Sequence, residues 1–172
     1  MTILLRNWNR VSCEKLYQYA DKHWDELYED HPIEHHNDPT FNKHVDESKF
    51  SDVSALARIS EDVYDLVGEL FDLYNYKDGY EKVSGGVVRW NPGSFMKPHI
   101  DNPPGWDDRE YAAIVYLNDG FQGGRFQGLG FDHYPDQGDV IIFECNNARH
   151  GVTEITSGTR YTYSCWFRKN NC

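Results

Sequence analysis

Cysteine is scarce in this sequence: four among 172 residues, at Cys13, Cys145, Cys165 and Cys172, with no CxxC pair and no regular spacing. That excludes a disulfide-stapled scaffold and a zinc site built from paired cysteines. Free thiols in a reducing compartment are the expectation, and with them a cytoplasmic protein. Positive charge is also short, with 17 Lys and Arg against 28 Asp and Glu, for a net charge of −11. Such a surface repels a phosphate backbone, so nucleic acid is not expected as a partner. Long apolar runs are absent too. The opening carries only Ile3–Leu5, too short for a signal core or a membrane span, and no membrane partner is expected.

What is present is the composition of a folded domain, 39% hydrophobic and 15% aromatic. Splitting the chain would leave two pieces each too small to stabilise a core, so residues 1–172 are expected to form one domain. There is no internal repeat. Ser12 is placed to cap a helix running to about Glu29, with Leu16, Ala20, Trp24 and Leu27 on its apolar face. A second helix is predicted from Val53 to Tyr74, with Leu56, Val63, Leu66, Val67, Leu70, Phe71 and Tyr74 on one side. Between them His31 to Asp52 reads as a polar loop. Its His31, His35, His36 and His44 lack the spacing of a known structural metal site and have no cysteine beside them.

From Lys82 the pattern changes to short runs of Val, Ile, Tyr and Phe separated by Gly, Pro, Asn and Asp. Strands are predicted at Lys82–Trp90, Phe95–Asp101, Tyr111–Leu117, Gly124–Phe126, Val140–Glu144, Gly151–Ile155 and Tyr161–Arg168. Gly123-Gly124 reads as a turn or bulge entering a strand. Many short strands with such turns predict an all-β barrel or jelly roll. Residues 1–80 would be a helical support packed on one sheet of a β core over 81–170.

Within that core stands His99-Ile100-Asp101. Alternate residues of a strand share a face, so an imidazole and a carboxylate can take neighbouring positions on a divalent metal. Two histidines and one carboxylate on one face of an octahedron leave three positions open, which suits non-haem Fe(II) and oxygen chemistry. His150 opens a later strand, and Arg160 opens the last one. A buried arginine there could grip the carboxylate of a small diacid with a two-pronged, charge-assisted contact. Taken alone, H-x-D is weak, Tyr116 and Trp166 read as core aromatics, Arg160 as a surface ion-pair partner, and His133 as a loop histidine.

The ordered motifs together resemble a known family. Val87-Val88-Arg89-Trp90-Asn91-Pro92-Gly93-Ser94-Phe95-Met96-Lys97-Pro98-His99-Ile100-Asp101 is similar to the iron-binding segment of the prolyl 4-hydroxylase branch of the 2-oxoglutarate dioxygenases. The similarity continues through Tyr111–Asn118, Gly123-Gly124, Gly138–Phe143, His150-Gly151-Val152 and Gly158-Thr159-Arg160-Tyr161, covering about residues 82–168. The resemblance implies a double-stranded β-helix (cupin-like jelly roll), with His99, Asp101 and His150 as Fe(II) ligands. It implies that Arg160 binds the far carboxylate of 2-oxoglutarate with help from the Tyr116 hydroxyl, and that Trp166 belongs to the same pocket. His99-Ile100-Asp101-Asn102-Pro103, with Gly105 and Arg109, is further similar to oxygen-sensing prolyl hydroxylases. Trp90 departs from the pattern: many relatives have tyrosine there, and an indole N–H donates but cannot accept.

The implied reaction consumes O2 and 2-oxoglutarate, releases succinate and carbon dioxide, and hydroxylates a C–H bond. Ascorbate is a candidate reductant. The expected substrate is proline in a peptide or protein, with Asn102–Arg109 as a candidate contact. The alternatives are a free amino acid or another side chain, or a non-catalytic jelly-roll binding module. The complete ligand set and Arg160 argue against the module, and charge and motif order argue against nucleic-acid demethylation.

Overall fold

The structure is a computed structural model that describes residues 2–6, 8–32, 41–44, 80–101, 109–128 and 130–169. Strand β1 (Thr2–Leu5) is followed by helix α1 (Arg10–Lys22), a single 3-10 turn (Trp24–Glu26), and strands β2 (Tyr28–Pro32) and β3 (Phe41–His44). Then come β4 (Tyr80–Trp90), β5 (Met96–His99), β6 (Tyr111–Tyr116), β7 (Gln122–Gly123), β8 (Phe126–Gly128) and β9 (Phe131–His133). The last four are β10 (Val140–Glu144), β11 (His150–Val152), β12 (Ile155–Ser157) and β13 (Arg160–Lys169). A seven-stranded sheet has the order β1-β10-β6-β13-β4-β3-β2, a four-stranded sheet runs β5-β11-β8-β9, and β12 pairs with β7. All the pairings are antiparallel. This is the jelly roll the strand pattern predicts.

The period of two sorts the large sheet into two faces. Ala113 and Val115 on β6, Leu117 just beyond it, Val140 and Ile142 on β10, and Tyr161, Tyr163, Cys165 and Phe167 on β13 pack with Cys13, Leu16 and Ala20 of α1. The helix therefore covers the outer face. The Tyr161 hydroxyl ties it down, donating to Asp21 Oδ1 at 2.7 Å. The alternate residues Ala112, Tyr116, Ile141, Phe143 and Cys145 turn inward onto Phe126 of the small sheet. Cys13, Cys145 and Cys165 are buried free thiols, and burial pushes the Cys13 thiol up to about 12.

Several expectations are corrected. The helix starts at Arg10, and its cap is Asn9, not Ser12. Asn9 tolerates a left-handed φ of 38° and its side-chain oxygen accepts the Ser12 N–H. The helix stops at Lys22 instead of Glu29, because Trp24 and Leu27 must leave the helical path to reach the sheet. Both are buried, and Trp24 meets the Tyr161 ring edge-on at 5.9 Å. The expected loop at 31–52 contributes to two strands, since β2 pairs with β3 and β3 with β4. The N-terminal part is thus not only a helical support. The predicted helix Val53–Tyr74 lies outside the described residues. Of the predicted strand Gly124–Phe126 only Phe126 is in a strand, at the start of β8, with Gly124 and Arg125 in the gap after β7, and Gly151–Ile155 splits between β11 and β12. Gly123 explains the first break. Its φ is +78°, and a Cβ there would run into the Glu154 carbonyl oxygen.

Candidate active site

β5 and β11 bring the metal residues together. His99 and His150 are direct cross-strand partners, and their rings stand 4.5 Å apart. The pairing slips by one residue between His150 and Val152. Pro98 has no N–H to give to the ladder, so a bulge here is cheap. Gly151 permits the close approach, since a Cβ would sit 2.8 Å from the Met96 carbonyl oxygen. β5 ends at His99, short of the predicted Asp101, but the carboxylate still comes beside both rings. Asp101 Oδ1 is 3.0 Å from His99 Nε2 and 3.5 Å from His150 Nε2. One ligand atom from each of the three lies within 4.8 Å of the others.

Each ring is aimed from behind. His99 Nδ1 is 3.0 Å from the Lys97 carbonyl and His150 Nδ1 is 2.9 Å from the Ala148 carbonyl. A carbonyl only accepts, so both Nδ1 atoms carry a proton and both Nε2 atoms face the cluster, where His99 Nε2–H donates to Asp101 until a metal takes its place. His150 is stacked on Phe126 and flanked by Phe143, with centroids at 5.2 and 4.5 Å. Burial holds His150 below the usual imidazole range, against the pull of Asp101, which favours the neutral ring a metal needs. At His99 burial also lowers the pKa, but hydrogen bonds to Asp101 and the Lys97 carbonyl outweigh it and the net shift is upward. Burial opposes charge on Asp101, yet the His99 hydrogen bond, the nearby His150 and the Trp166 N–H prevail and hold its pKa down.

Trp166 sits here, and not against Arg160. Its Nε1–H donates to Asp101 Oδ2 at 2.8 Å, while the Arg109 guanidinium lies 4.6 Å over its ring. One carboxylate oxygen is thereby occupied and the other is left for a metal. Trp166→Phe keeps a ring but strands a buried carboxylate oxygen. Loss of such a supporting hydrogen bond costs roughly 10–100-fold in metal affinity. That loss is expected in a chelator-competition titration with Fe(II) under argon. An unchanged affinity would mean that Asp101 needs no such anchor.

A second centre lies on the inner face of the large sheet. Arg160 is 1% exposed, and its guanidinium is held between Trp90 and Tyr116, with the carbon 4.7 and 5.0 Å from the two ring centroids. No carboxylate meets it among the described residues. Its Nε and Nη1, and the Tyr116 hydroxyl oxygen, are buried and meet no hydrogen-bond partner among the described residues. Burial lowers the Arg160 pKa and raises that of Tyr116, each opposed by the other group. A buried cation without an anion is costly. Its open, fork-shaped donors fit the carboxylate end of a diacid. Trp90 does not substitute for a tyrosine hydroxyl here, because its Nε1–H goes to Thr162 Oγ1 at 3.3 Å.

Some participants escaped the sequence. His133 is not a loop residue. It is buried on β9, edge-on to Tyr116 at 5.8 Å, with Nε2 2.9 Å from Asp139 Oδ2. Asp139 also takes Arg6 Nη1 at 2.9 Å, so the wall behind Tyr116 is pinned from the N-terminal side. Only the fold joins these distant positions. The candidate contact Asn102–Arg109 lies outside the described residues except for Arg109.

The comparisons with known proteins agree with this geometry. The family model described as the 2OG-Fe(II) oxygenase superfamily matches residues 85–168. The chain is 31% identical over 140 residues to prolyl 3-hydroxylase 2 of Homo sapiens, covering 69% of this chain and 20% of that protein. It therefore spans about a fifth of the length of that relative. A Pseudomonas putida prolyl-4-hydroxylase superposes with a TM-score of 0.79 at 19% identity, over 99% of this chain and 93% of that one. A Trichoplax adhaerens prolyl hydroxylase, solved with a hypoxia inducible factor oxygen degradation domain peptide fragment, gives 0.71 at 17% identity over 97% and 83%. At these identities the structural likeness is one of fold.

Proposed function

The chain belongs to the 2OG-Fe(II) oxygenase superfamily, and on that footing we propose that it hydroxylates proline in a peptide or protein. The observation that carries the reading is the pairing of two centres on facing sheets. One is a His-Asp-His cluster with all three ligand atoms within 4.8 Å, and the other a buried Arg160 that meets no anion among the described residues. The residues fit Fe(II) at the first and the far carboxylate of 2-oxoglutarate at the second. Once bound, iron and 2-oxoglutarate supply the oxygen chemistry, in which the keto acid leaves as succinate and carbon dioxide and one oxygen atom goes to the substrate.

The chain's own residues bind and orient. His99, Asp101 and His150 would hold the metal through one atom each, leaving it able to take the cosubstrate and oxygen. Arg160 fixes the cosubstrate by its far end, and the Tyr116 hydroxyl adds a neutral donor. Trp90 flattens the guanidinium against its own ring. Phe126 and Phe143 exclude water beside His150, while Trp166 keeps Asp101 from turning. Ascorbate would serve as the reductant that keeps the iron ferrous. The buried free thiols suit a cytoplasmic setting, and we treat residues 1–172 as one catalytic domain.

We place the hydroxyl at C4, following the match of residues 87–101 to the prolyl 4-hydroxylases. A second reading, C3, is favoured by the sequence identity to prolyl 3-hydroxylase 2. A proline-containing peptide library incubated with Fe(II), 2-oxoglutarate and O2 is expected to gain one oxygen, with succinate in equal amount. Chromatography of hydrolysed product against 3- and 4-hydroxyproline decides between the positions. A mass gain on a free amino acid, with none on any peptide, would overturn the protein-substrate reading.

A further inference from the structure

A second charge lies buried on the wall that carries Arg160, and it has the wrong sign for an anion site. Asp139 is fully enclosed. Val140, its neighbour, pairs with Val115 and both face the helix, while Ile141 and Tyr116 turn inward. By the period of two, Asp139 shares the inner face with Ile141. The Tyr116 N–H donates to the Asp139 carbonyl at 2.9 Å, so these two residues stand opposite each other across the strands. On the far side of Tyr116 comes Arg160, with its guanidinium 5.0 Å from the ring. The inner wall thus presents a carboxylate, a phenol and a guanidinium in that order. Two strand spacings put the charges about 10 Å apart, with the Tyr116 ring between them. Both act on the Tyr116 hydroxyl: burial raises its pKa, Arg160 opposes the rise and Asp139 adds to it.

A carboxylate at that distance repels an incoming carboxylate unless another charge offsets it. Asp139 Oδ2 accepts from Arg6 Nη1 at 2.9 Å and from the Asp136 N–H at 3.0 Å. His133 Nε2 lies 2.9 Å from the same oxygen, at an angle unfit for a hydrogen bond. Burial holds His133 below the usual imidazole range against the pull of Asp139, so its ring brings no charge at neutral pH. Of these three groups, only Arg6 carries a full positive charge.

We propose that Arg6, just past the end of β1, is a positioning residue for 2-oxoglutarate: it acts through Asp139, neutralising a buried carboxylate that would otherwise oppose the far carboxylate of the cosubstrate. The inference rests on the proposed role of Arg160 as the carboxylate anchor.

The test is calorimetric titration of 2-oxoglutarate into Fe(II)-loaded protein under argon, with Arg6→Ala, Arg6→Lys, Asp139→Asn and the double variant Arg6→Ala/Asp139→Asn. Two unit charges about 10 Å apart near a protein interior are worth roughly tenfold in affinity. Arg6 is half exposed, so Arg6→Ala is expected to bind roughly three- to tenfold more weakly. Arg6→Lys, which keeps the charge, is expected to bind close to the parent. Asp139→Asn keeps an oxygen for the Asp136 N–H and removes the repulsion, and is expected to bind more tightly. The double variant removes both charges and is expected to return toward the parent. With 2-oxobutyrate, which lacks the far carboxylate, all four variants are expected to bind like the parent. A merely structural role would weaken binding in every variant and for both keto acids, and that pattern overturns the proposal. Parent-like affinity in Arg6→Ala overturns it too, as does a double variant no tighter than Arg6→Ala. Should Arg6→Ala fail to give a single thermal transition, Asp139→Asn decides alone, and unchanged or weaker binding there sinks the charge argument. Arg160→Ala keeps the two levels apart. If it loses affinity while Arg6→Ala and Asp139→Asn do not shift it, only this inference fails; if Arg160→Ala also binds normally, the anchor itself is wrong.

Discussion

Arg160→Ala is expected to raise the 2-oxoglutarate requirement by a factor of thirty to several thousand while Fe(II) binding stays nearly intact. A carboxylate entering the interior of a β-barrel sheds its water, and only a cation already waiting there offsets that loss. Arg160 is such a cation, fully enclosed and stacked between Trp90 and Tyr116, so it need not reorganise to bind. Removing one member of a buried charged contact costs about 2–5 kcal/mol, which at about 1.4 kcal/mol per tenfold gives the stated range. Arg160→Lys is expected to fall between, since it keeps the charge but loses the fork. Tyr116→Phe is expected to show a weaker loss, because a neutral hydrogen bond contributes only about 0.5–1.5 kcal/mol. Calorimetry on the metal-loaded protein measures all three. Parent-like affinity in Arg160→Ala would move the carboxylate elsewhere in the pocket.

His150→Ala is expected to abolish succinate release altogether. The ring supplies one of three metal ligands, and Nε2 is aimed by the Ala148 carbonyl behind it. No described side chain stands ready to replace it, and a two-ligand site holds iron too loosely for turnover. The substitution also opens a gap between Phe126 and Phe143, with a stability cost on the order of 2–4 kcal/mol. Thermal melting is therefore expected to shift down by several degrees yet remain a single transition. Metal analysis after gel filtration should find the variant depleted of iron. Near-normal succinate release would remove His150 from the ligand set.

The sequence carried more of the site than of the scaffold. His99 was readable from the strand pattern and Asp101 from its spacing to His99, although Asp101 lies past the end of β5, and the core strands were readable because each alternates small or aliphatic residues between faces. β2 and β3 were not readable, because Tyr28–Pro32 and Phe41–His44 are mostly polar and the first ends in a proline. The end of α1 was missed because Trp24 and Leu27 keep helical spacing after the helix has stopped, and what they bury against is a sheet far away in sequence. That Arg160 meets no carboxylate among the described residues was invisible for a similar reason. An arginine's counter-charge is a property of the fold, not of its neighbours along the chain. Likewise, Trp166 looked like a pocket wall, since no local pattern announces a hydrogen bond to Asp101.

His99 and His150 occupy a single rung between β5 and β11, with Asp101 two residues beyond the end of β5. The chelating geometry therefore rests on this rung, on Asp101, and on the Ala148 carbonyl and the phenylalanine rings around His150. Segments inserted, shortened or exchanged around the rim would alter what approaches the metal without disturbing how it is held. In evolutionary terms, selection on substrate range and selection on oxygen chemistry act on separate parts of this chain, so one can drift while the other stays fixed.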